Sequence, residues 1–278
     1  MAELRSVPTS AKLSTRQAYG TVLRSRIRAQ MSYRSSFWIN AVNSFFTGGL
    51  EFVEIYVLLT NTPTLGGMTF GQAALVFGLA NLGFSIADLI FGQTDQIPRY
   101  IREGKLEAFL VRPMPVLAQM ITSDFQLRRV GRALLGLLVA VAMVFWLDLD
   151  LDPQTMYLLI TTPIYGAAIY GALFVLAGGI QFWIIDGSEF TNSFVYGGSY
   201  AGHLPGSVLL APLRVLFTFV FPATVTAYLP CLLILGLDGP PLLPAWLGWL
   251  APLFAVWSWL LAYLIWRLGV RHYTGAGG

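Results

Sequence analysis

Two carboxylates lie within the first long apolar stretch of the chain. Glu51 and Glu54 are three residues apart, so on a helix they share one face. A charge in hydrocarbon costs about 2.5–3.5 kcal/mol even on insertion scales, so both side chains should face protein or water. One interpretation is a polar lining, near the exit of a path, that favours cationic solutes. The other is that Glu54 reaches the outer interface while Glu51 hydrogen-bonds to a neighbouring helix.

Other residues that could do chemistry are few. Asp88 is a third candidate for a polar path, but its place near the end of an apolar run favours an interfacial role. Cys231 is the only cysteine, and His203 and His272 lie far apart, so no metal site is expected. The only Gly-Lys pair, at residues 104–105, is followed by leucine, so the chain has no phosphate-binding loop. No catalytic residue and no cofactor are predicted in this chain.

The composition indicates a membrane protein. Hydrophobic residues make up 56% of the 278 residues and charged residues 11%, against about 25% charged in a soluble domain. Several apolar runs are long enough to cross a hydrocarbon core of about 30 Å. In all, the apolar runs cover residues 37–59, 70–91, 133–147, 156–185, 213–237 and 246–268. The sequence therefore predicts an all-α polytopic membrane protein with six transmembrane helices in a single domain, residues 36–278.

The basic residues predict the orientation of these runs. Seven of the 17 lie in residues 1–35, seven in residues 93–132, and Arg267 and Arg271 lie near the C-terminal end. The short connectors contain no Lys or Arg, and two of them carry aspartates. The positive-inside rule makes the basic side cytoplasmic, with both termini inside.

Residues 1–35 form a basic leader that is too long and too charged for a signal peptide. Apolar side chains recur in it every four residues, with arginines on other faces. These apolar residues are Tyr19, Leu23, Ile27 and Met31. The pattern favours a helix in the inner membrane interface. A solvated leader is the alternative.

A polar segment, IREGKLEAFLVRPMP at residues 101–115, lies within the loop of residues 93–132. Its apolar side chains can line one side of a short helix: Ile101, Leu106, Phe109 and Leu110. Pro113 and Pro115 end that helix because proline lacks the backbone N–H. One interpretation is a rigid knob that forms a transient protein interface. The other is a solvated loop that merely obeys the charge bias.

The same segment resembles a signature of ABC-2 type exporter permeases of the six-span branch. The matching positions are Gly104, Leu106, Leu110, Arg112 and Pro113, followed by Phe125, Leu127, Arg128 and Arg129. The resemblance implies a cytoplasmic coupling helix that docks into a groove on an ATP-binding subunit. It implies that role for Arg102, Glu103, Gly104, Lys105, Leu106, Glu107, Phe109, Leu110, Arg112 and Pro113.

Residues 203–236 resemble the proline-punctuated segment before the last span of those exporters, which tends to re-enter the membrane from outside. The fifth span would then be residues 189–201, and Arg214 would be external. Hydropathy alone instead makes residues 213–237 the fifth span, kinked by its prolines. Both arrangements keep the C-terminus cytoplasmic, so charge counting does not choose between them. We favour the re-entrant arrangement.

The resemblance implies the permease subunit of an ATP-driven exporter in a bacterial inner membrane. Its cargo would be amphiphilic, such as a drug-like compound, a lipid or a glycolipid. ATP and Mg would bind a partner ATPase, and a second permease, identical or related, would complete a dimeric path. An ion-coupled secondary transporter is the alternative, although it often shows internal repeats and none is evident here. An enzyme acting on lipid would need a cluster of acids or histidines near one interface, and the candidates are scattered.

Overall fold

The computed structural model describes residues 20–21, 24–25, 28, 34–123, 129–184 and 188–273. Every regular element of the described residues is helical, which confirms the all-α prediction. The leader residues that predicted an interfacial helix, Tyr19, Leu23, Ile27 and Met31, lie outside the described residues. That helix therefore stays a prediction.

The described α-helices follow one another with few long connections. They are α1 (Arg34–Asn61), α2 (Phe70–Phe91), α3 (Ile97–Arg102), α4 (Lys105–Leu110), α5 (Val116–Ser123), α6 (Val130–Trp146), α7 (Pro153–Ile180), α8 (Ser188–His203), α9 (Ala211–Val215), α10 (Tyr228–Ile234) and α11 (Ala251–His272). Short 3-10 turns cover Gly92–Gln96, Gly206–Val208, Thr224–Thr226 and Ala245–Leu250, and a π-helical turn covers Leu216–Val220.

Several of these helices can cross a membrane, so the chain is a multi-pass membrane protein. Within the described residues, α1, α2, α7 and α11 are long and apolar enough to span alone. A bent pair, residues 211–220 and 224–234, would add a fifth span if it counted as one. At 17 residues α6 is about 25 Å long, which is short for a hydrocarbon core of about 30 Å. The count of six spans stays a prediction.

Helix α2 is the centre of the bundle. Of its 22 residues 15 are buried, because α6 packs on one side of it and α7 on the other. The contact with α6 is close at Gly78, where a Cβ atom would lie 2.6 Å from the backbone nitrogen of Ala140. Small residues allow such approach between membrane helices, whose association gains little from the hydrophobic effect. Helix α11 covers the other side of α7.

Helix α1 lies at the edge of the bundle and packs mainly on α6. The two backbones approach at Gly131, where a Cβ atom would collide with the carbonyl oxygen of Ala41. Only 11% of the most apolar window of α1 is buried. Ile39, Phe46 and Leu50 are exposed, so this face of α1 is available to lipid or to another protein.

The two ends of the bundle differ in charge. We call one the acidic end: its connectors, residues 62–69, 147–152 and 235–250, carry four aspartates and no Lys or Arg. Gly71 at the start of α2 lies against Leu147 there, which places the first two of these connectors beside each other. The opposite end, which we call the basic end, carries residues 92–123, Arg129, residues 181–184 and the C-terminal end of α11.

Residues 203–236 form a bent segment between α8 and α11. Between its helical halves, residues 211–220 and 224–234, the direction of the chain bends by 63°. Arg214 in the first half donates to the carbonyl of Pro241, and Leu229 in the second lies beside Gly248. Both contacts are at the acidic end, whereas Phe221 at the bend stacks on Phe194 of α8, 4.6 Å between ring centroids. Both halves of the segment therefore have a contact at the acidic end, and the re-entrant arrangement stays a prediction.

Candidate functional site

The polar segment at the basic end is a compact elbow built from α3, α4 and α5. Its apolar side chains are buried against α7 and α11: Ile97, Ile101, Leu106 and Met120 pack with Ala172, Val175, Phe182, Ala262 and Trp266. The amide of Gln119 donates to the carbonyls of Phe109 and Met114, at 2.8 and 2.7 Å. The elbow therefore packs on two long helices, α7 and α11.

Residues 97–110 of the elbow form two short helices, α3 and α4, where the spacing predicted one. Gly104 separates α3 from α4 with a φ of +64°, a left-handed conformation that glycine adopts without the steric cost of a side chain. Glu103 and Lys105 flank this turn and form an ion pair at 2.5 Å. The hydrogen bond from the Lys105 ammonium lowers the pKa of the Glu103 carboxyl.

The residues predicted to couple to an ATPase divide into a surface set and a supporting set. Those on the surface are Arg102, Glu103, Lys105, Glu107, Leu110, Arg112 and Pro113. Gly104 is half-buried in the turn. Leu106 is fully buried and Phe109 is half-buried against the Tyr100 ring, 5.6 Å between centroids. Neither side chain forms the exposed knob that the spacing predicted, since both turn toward the bundle. Val111, not singled out from the sequence, is 82% exposed.

A charged cluster lies inside the bundle where α1, α6 and α8 meet. The Arg132 guanidinium binds one carboxylate oxygen of Glu51, and His203 Nδ1 lies 3.5 Å from the other oxygen. Arg132 also lies over the Phe84 ring, 5.7 Å from its centroid. For Glu51 these contacts match the interpretation in which it binds a neighbouring helix. Glu54 is exposed and accepts a hydrogen bond from the Tyr200 hydroxyl.

Asp88 lies at the basic end of α2 and pairs with Arg129, 2.6 Å between Nη1 and Oδ1. The same nitrogen donates to the Asp88 backbone carbonyl. A cation here is favourable because the last carbonyls of a helix carry partial negative charge. Asp88 is therefore part of the connection between α2 and α6.

Sequence reasoning missed the roles of Arg129, Arg132 and His203. Both arginines were counted as loop charges, because the third apolar run was read as starting at residue 133, whereas α6 starts at Val130. The run of apolar residues begins immediately after Arg132. Extending the helical periodicity of that run toward the N-terminus was the available signal for the roles of Arg129 and Arg132. His203 was considered only as a metal ligand and was rejected in that role. No local pattern links it to Glu51.

A polar groove opens between α1, the basic end of α2 and the start of α6. Its volume is about 210 Å³, and its lining is Asn40, Asn43, Ser44, Thr47, Asp88, Arg129 and Arg132. The α1 members share a face with Glu51 and Glu54. From Asn40 to Glu54 this polar stripe rises about 21 Å, most of the depth of a hydrocarbon core.

Comparison with known proteins identified a family. Neither a search of curated proteins nor a search of solved structures returned a significant match. A scan against protein families matched residues 45–277 to the family described as ABC-2 family transporter protein. This match includes the elbow, the charged cluster and the bent segment, and it covers well over half of the chain. The chain therefore belongs to the ABC-2 transporter family.

Proposed function

We propose that the chain is the membrane permease subunit of an ATP-driven exporter that moves an amphiphilic substrate out of the cytoplasm or the inner leaflet. Family membership indicates the permease component of an ABC transporter, a subunit that works with an ATP-binding partner. ATP and Mg would bind that partner. The observation that carries the proposal is the elbow: an exposed, mixed-charge surface backed by helices of the transmembrane bundle.

The proposed orientation puts the basic end and both termini in the cytoplasm of a bacterial cell. Support comes from the positive-inside rule, since the described connectors of the acidic end lack Lys and Arg. In this orientation the elbow faces the cytosol, and residues 203–236 re-enter from outside. The six spans would be α1, α2, α6, α7, α8 and α11.

The elbow would transmit nucleotide-driven movement to α7 and α11. Its exposed residues Arg102, Glu103, Lys105, Glu107, Leu110, Arg112 and Pro113, together with Val111, would contact the ATPase. Gly104, Leu106 and Phe109 would not contact the ATPase. They would stabilise the conformation of this surface and connect it to the bundle. A displacement of this surface would be transmitted through Leu106 to the apolar cluster that contains Ala172 and Trp266, because packed interiors transmit strain.

A second permease, identical or related, would complete the path. Six spans provide half of a two-part transporter, and α1 offers both an exposed apolar face and a polar stripe to whatever lies beside it. Cargo would pass between the two halves. Since Glu51 is already paired with Arg132, a selective preference for cationic cargo is not part of this proposal.

The test begins with gentle purification of the chain from its host and identification of the polypeptides that accompany it. The expected result is an ATP-binding subunit in near-equal amount. Arg112→Glu and Val111→Asp should each release that subunit and abolish cargo-stimulated ATP hydrolysis. Arg271→Glu, the same charge reversal on α11 at the basic end, is the matched control and should retain both. A chain that purifies alone and moves solute under an ion gradient would instead be a secondary transporter.

A further inference from the structure

The ion pairs of the two arginines in the polar groove occupy only some of their N–H donors. Arg129 contacts Asp88 through Nη1, and Arg132 contacts Glu51 through Nη2. The Arg132 Nε is buried and has no hydrogen-bond partner among the described residues. A guanidinium carries five N–H donors in a rigid fork, so both side chains retain donors after pairing. Buried donors without partners are costly, which makes an acceptor in the groove favourable.

The groove has room for such an acceptor. Its volume of about 210 Å³ is more than ten times the ~10–15 Å³ that one buried water requires. Asn43, Ser44 and Thr47 of α1 also line the groove and can hydrogen-bond to oxygen atoms of a ligand. Each arginine is paired with one carboxylate, Arg129 with Asp88 and Arg132 with Glu51, so the feature that would attract an acceptor is the set of remaining guanidinium N–H donors and not a net charge.

The surroundings of the groove indicate a membrane ligand. The α1 helix that forms one wall exposes Ile39, Val42 and Phe46 on another face, which provides an apolar surface for acyl chains. Arg129 and Asp88 place the groove at the basic end, which the proposed function assigns to the cytoplasmic leaflet. That leaflet is rich in anionic lipids, and basic pockets between membrane helices can bind their head groups.

We propose that this groove binds the phosphate head group of an amphiphile in the inner leaflet. The phosphate would accept hydrogen bonds from Arg129 and Arg132, which suit it because their planar donors match phosphate oxygens. Asn43, Ser44 and Thr47 would bind the polar part beyond the phosphate, and the acyl chains would lie along α1. The inference rests on the proposed orientation, although neither the ATPase partner nor transport is needed for this binding.

Binding would be measured by native mass spectrometry of the full-length chain, as purified with its partners, against three probes. The probes are a short-chain phosphatidylglycerol, the diacylglycerol with the same chains, and glycerol 3-phosphate. Only the phosphatidylglycerol should bind well. Arg129→Gln should weaken it by about tenfold to a hundredfold, the effect of losing a charge-assisted hydrogen bond. Arg267→Gln, which removes an exposed charge of α11, should bind it like the wild type.

A second variant covers the case in which Arg129→Gln leaves Asp88 unpaired and unfolds the chain. Asp88→Asn combined with Arg129→Gln removes both charges and should fold, yet it should lose the same affinity. Wild-type affinity in this variant would overturn the proposal, as would equal binding of the diacylglycerol. Equal binding of glycerol 3-phosphate would overturn the assignment to a membrane amphiphile. Loss of ATPase co-purification would contradict the proposed function, but it would not change the result of this binding measurement.

Discussion

The ion pair between Glu51 and Arg132 should be a principal attachment of α1 to the bundle. Replacing Glu51 with Gln keeps the shape of the side chain and an oxygen that accepts a hydrogen bond, but it removes the charge. The Arg132 guanidinium then remains between helices without a counter-charge. His203 Nδ1 lies 3.5 Å from the other carboxylate oxygen, and neither of these two atoms has a hydrogen-bond partner among the described residues. We expect Glu51→Gln to destabilise the folded chain.

The magnitude follows from the burial of the pair. Removing one partner of a buried pair costs about 3–5 kcal/mol. Of the side chains, 20% of Arg132 and 23% of Glu51 are exposed, which indicates the lower end, about 3 kcal/mol. In chains of 150–250 residues 1 kcal/mol shifts Tm by about 2–4 °C, so Tm should fall by about 6–12 °C.

Thermal unfolding in detergent, followed by the fluorescence of the eight tryptophans, would measure this shift. Glu54→Gln is the control, because Glu54 is an exposed carboxylate on the same face of α1; its effect should stay within about 0.5 kcal/mol. The double variant Glu51→Gln with Arg132→Gln should lose at least about 1 kcal/mol less than the sum of the two single losses. Additive losses, or an unchanged Tm in Glu51→Gln, would refute the reasoning.

Three further predictions concern stability. Leu106→Ala should cost about 2–5 kcal/mol, seen as a lower Tm, because Leu106 is fully buried beneath the elbow; wild-type stability would exclude that supporting role. Gly78→Ala should cost about 1–3 kcal/mol by overpacking against Ala140, and a raised Tm would contradict that contact. Asp152 caps α7 by accepting from the Thr155 N–H at 2.9 Å, and this hydrogen bond lowers its pKa below the ordinary 3.8. Its stabilisation should be present above that value and lost as pH falls through the lowered pKa, so the Tm difference between wild type and Asp152→Ala should vanish in acid.

The fold class could be predicted from sequence because hydropathy is a local property. Each apolar run of about 20 residues must satisfy its backbone internally, which makes it a helix whatever its neighbours are. The positions of α1, α2, α7 and α11 follow from this rule. The helix boundaries were less certain. The third apolar run was predicted to start at residue 133, because Arg132 was interpreted as a charge of the preceding loop. In the structure α6 begins at Val130, and Arg132 in its first turn pairs with Glu51 of α1.

The candidate site was predictable in part. The elbow was located from its charges, its prolines and its family resemblance, and those features depend on adjacent residues. Which of its side chains face outward was not predictable from spacing alone, because Gly104 breaks the helix on which that spacing was counted. Leu106 therefore turns inward, and Val111 becomes the most exposed apolar residue of the elbow.

By itself the sequence determined that this chain is a helical membrane protein with one basic end, one acidic end and a polar elbow between two apolar runs. These properties depend on composition and on short-range periodicity. Only the tertiary structure decided that Glu51 pairs with Arg132 and lies beside His203, and that two arginines face one groove with α1. Residues 81 and 152 positions apart meet there because three helices pack together, and no local pattern encodes which carboxylate meets which cation.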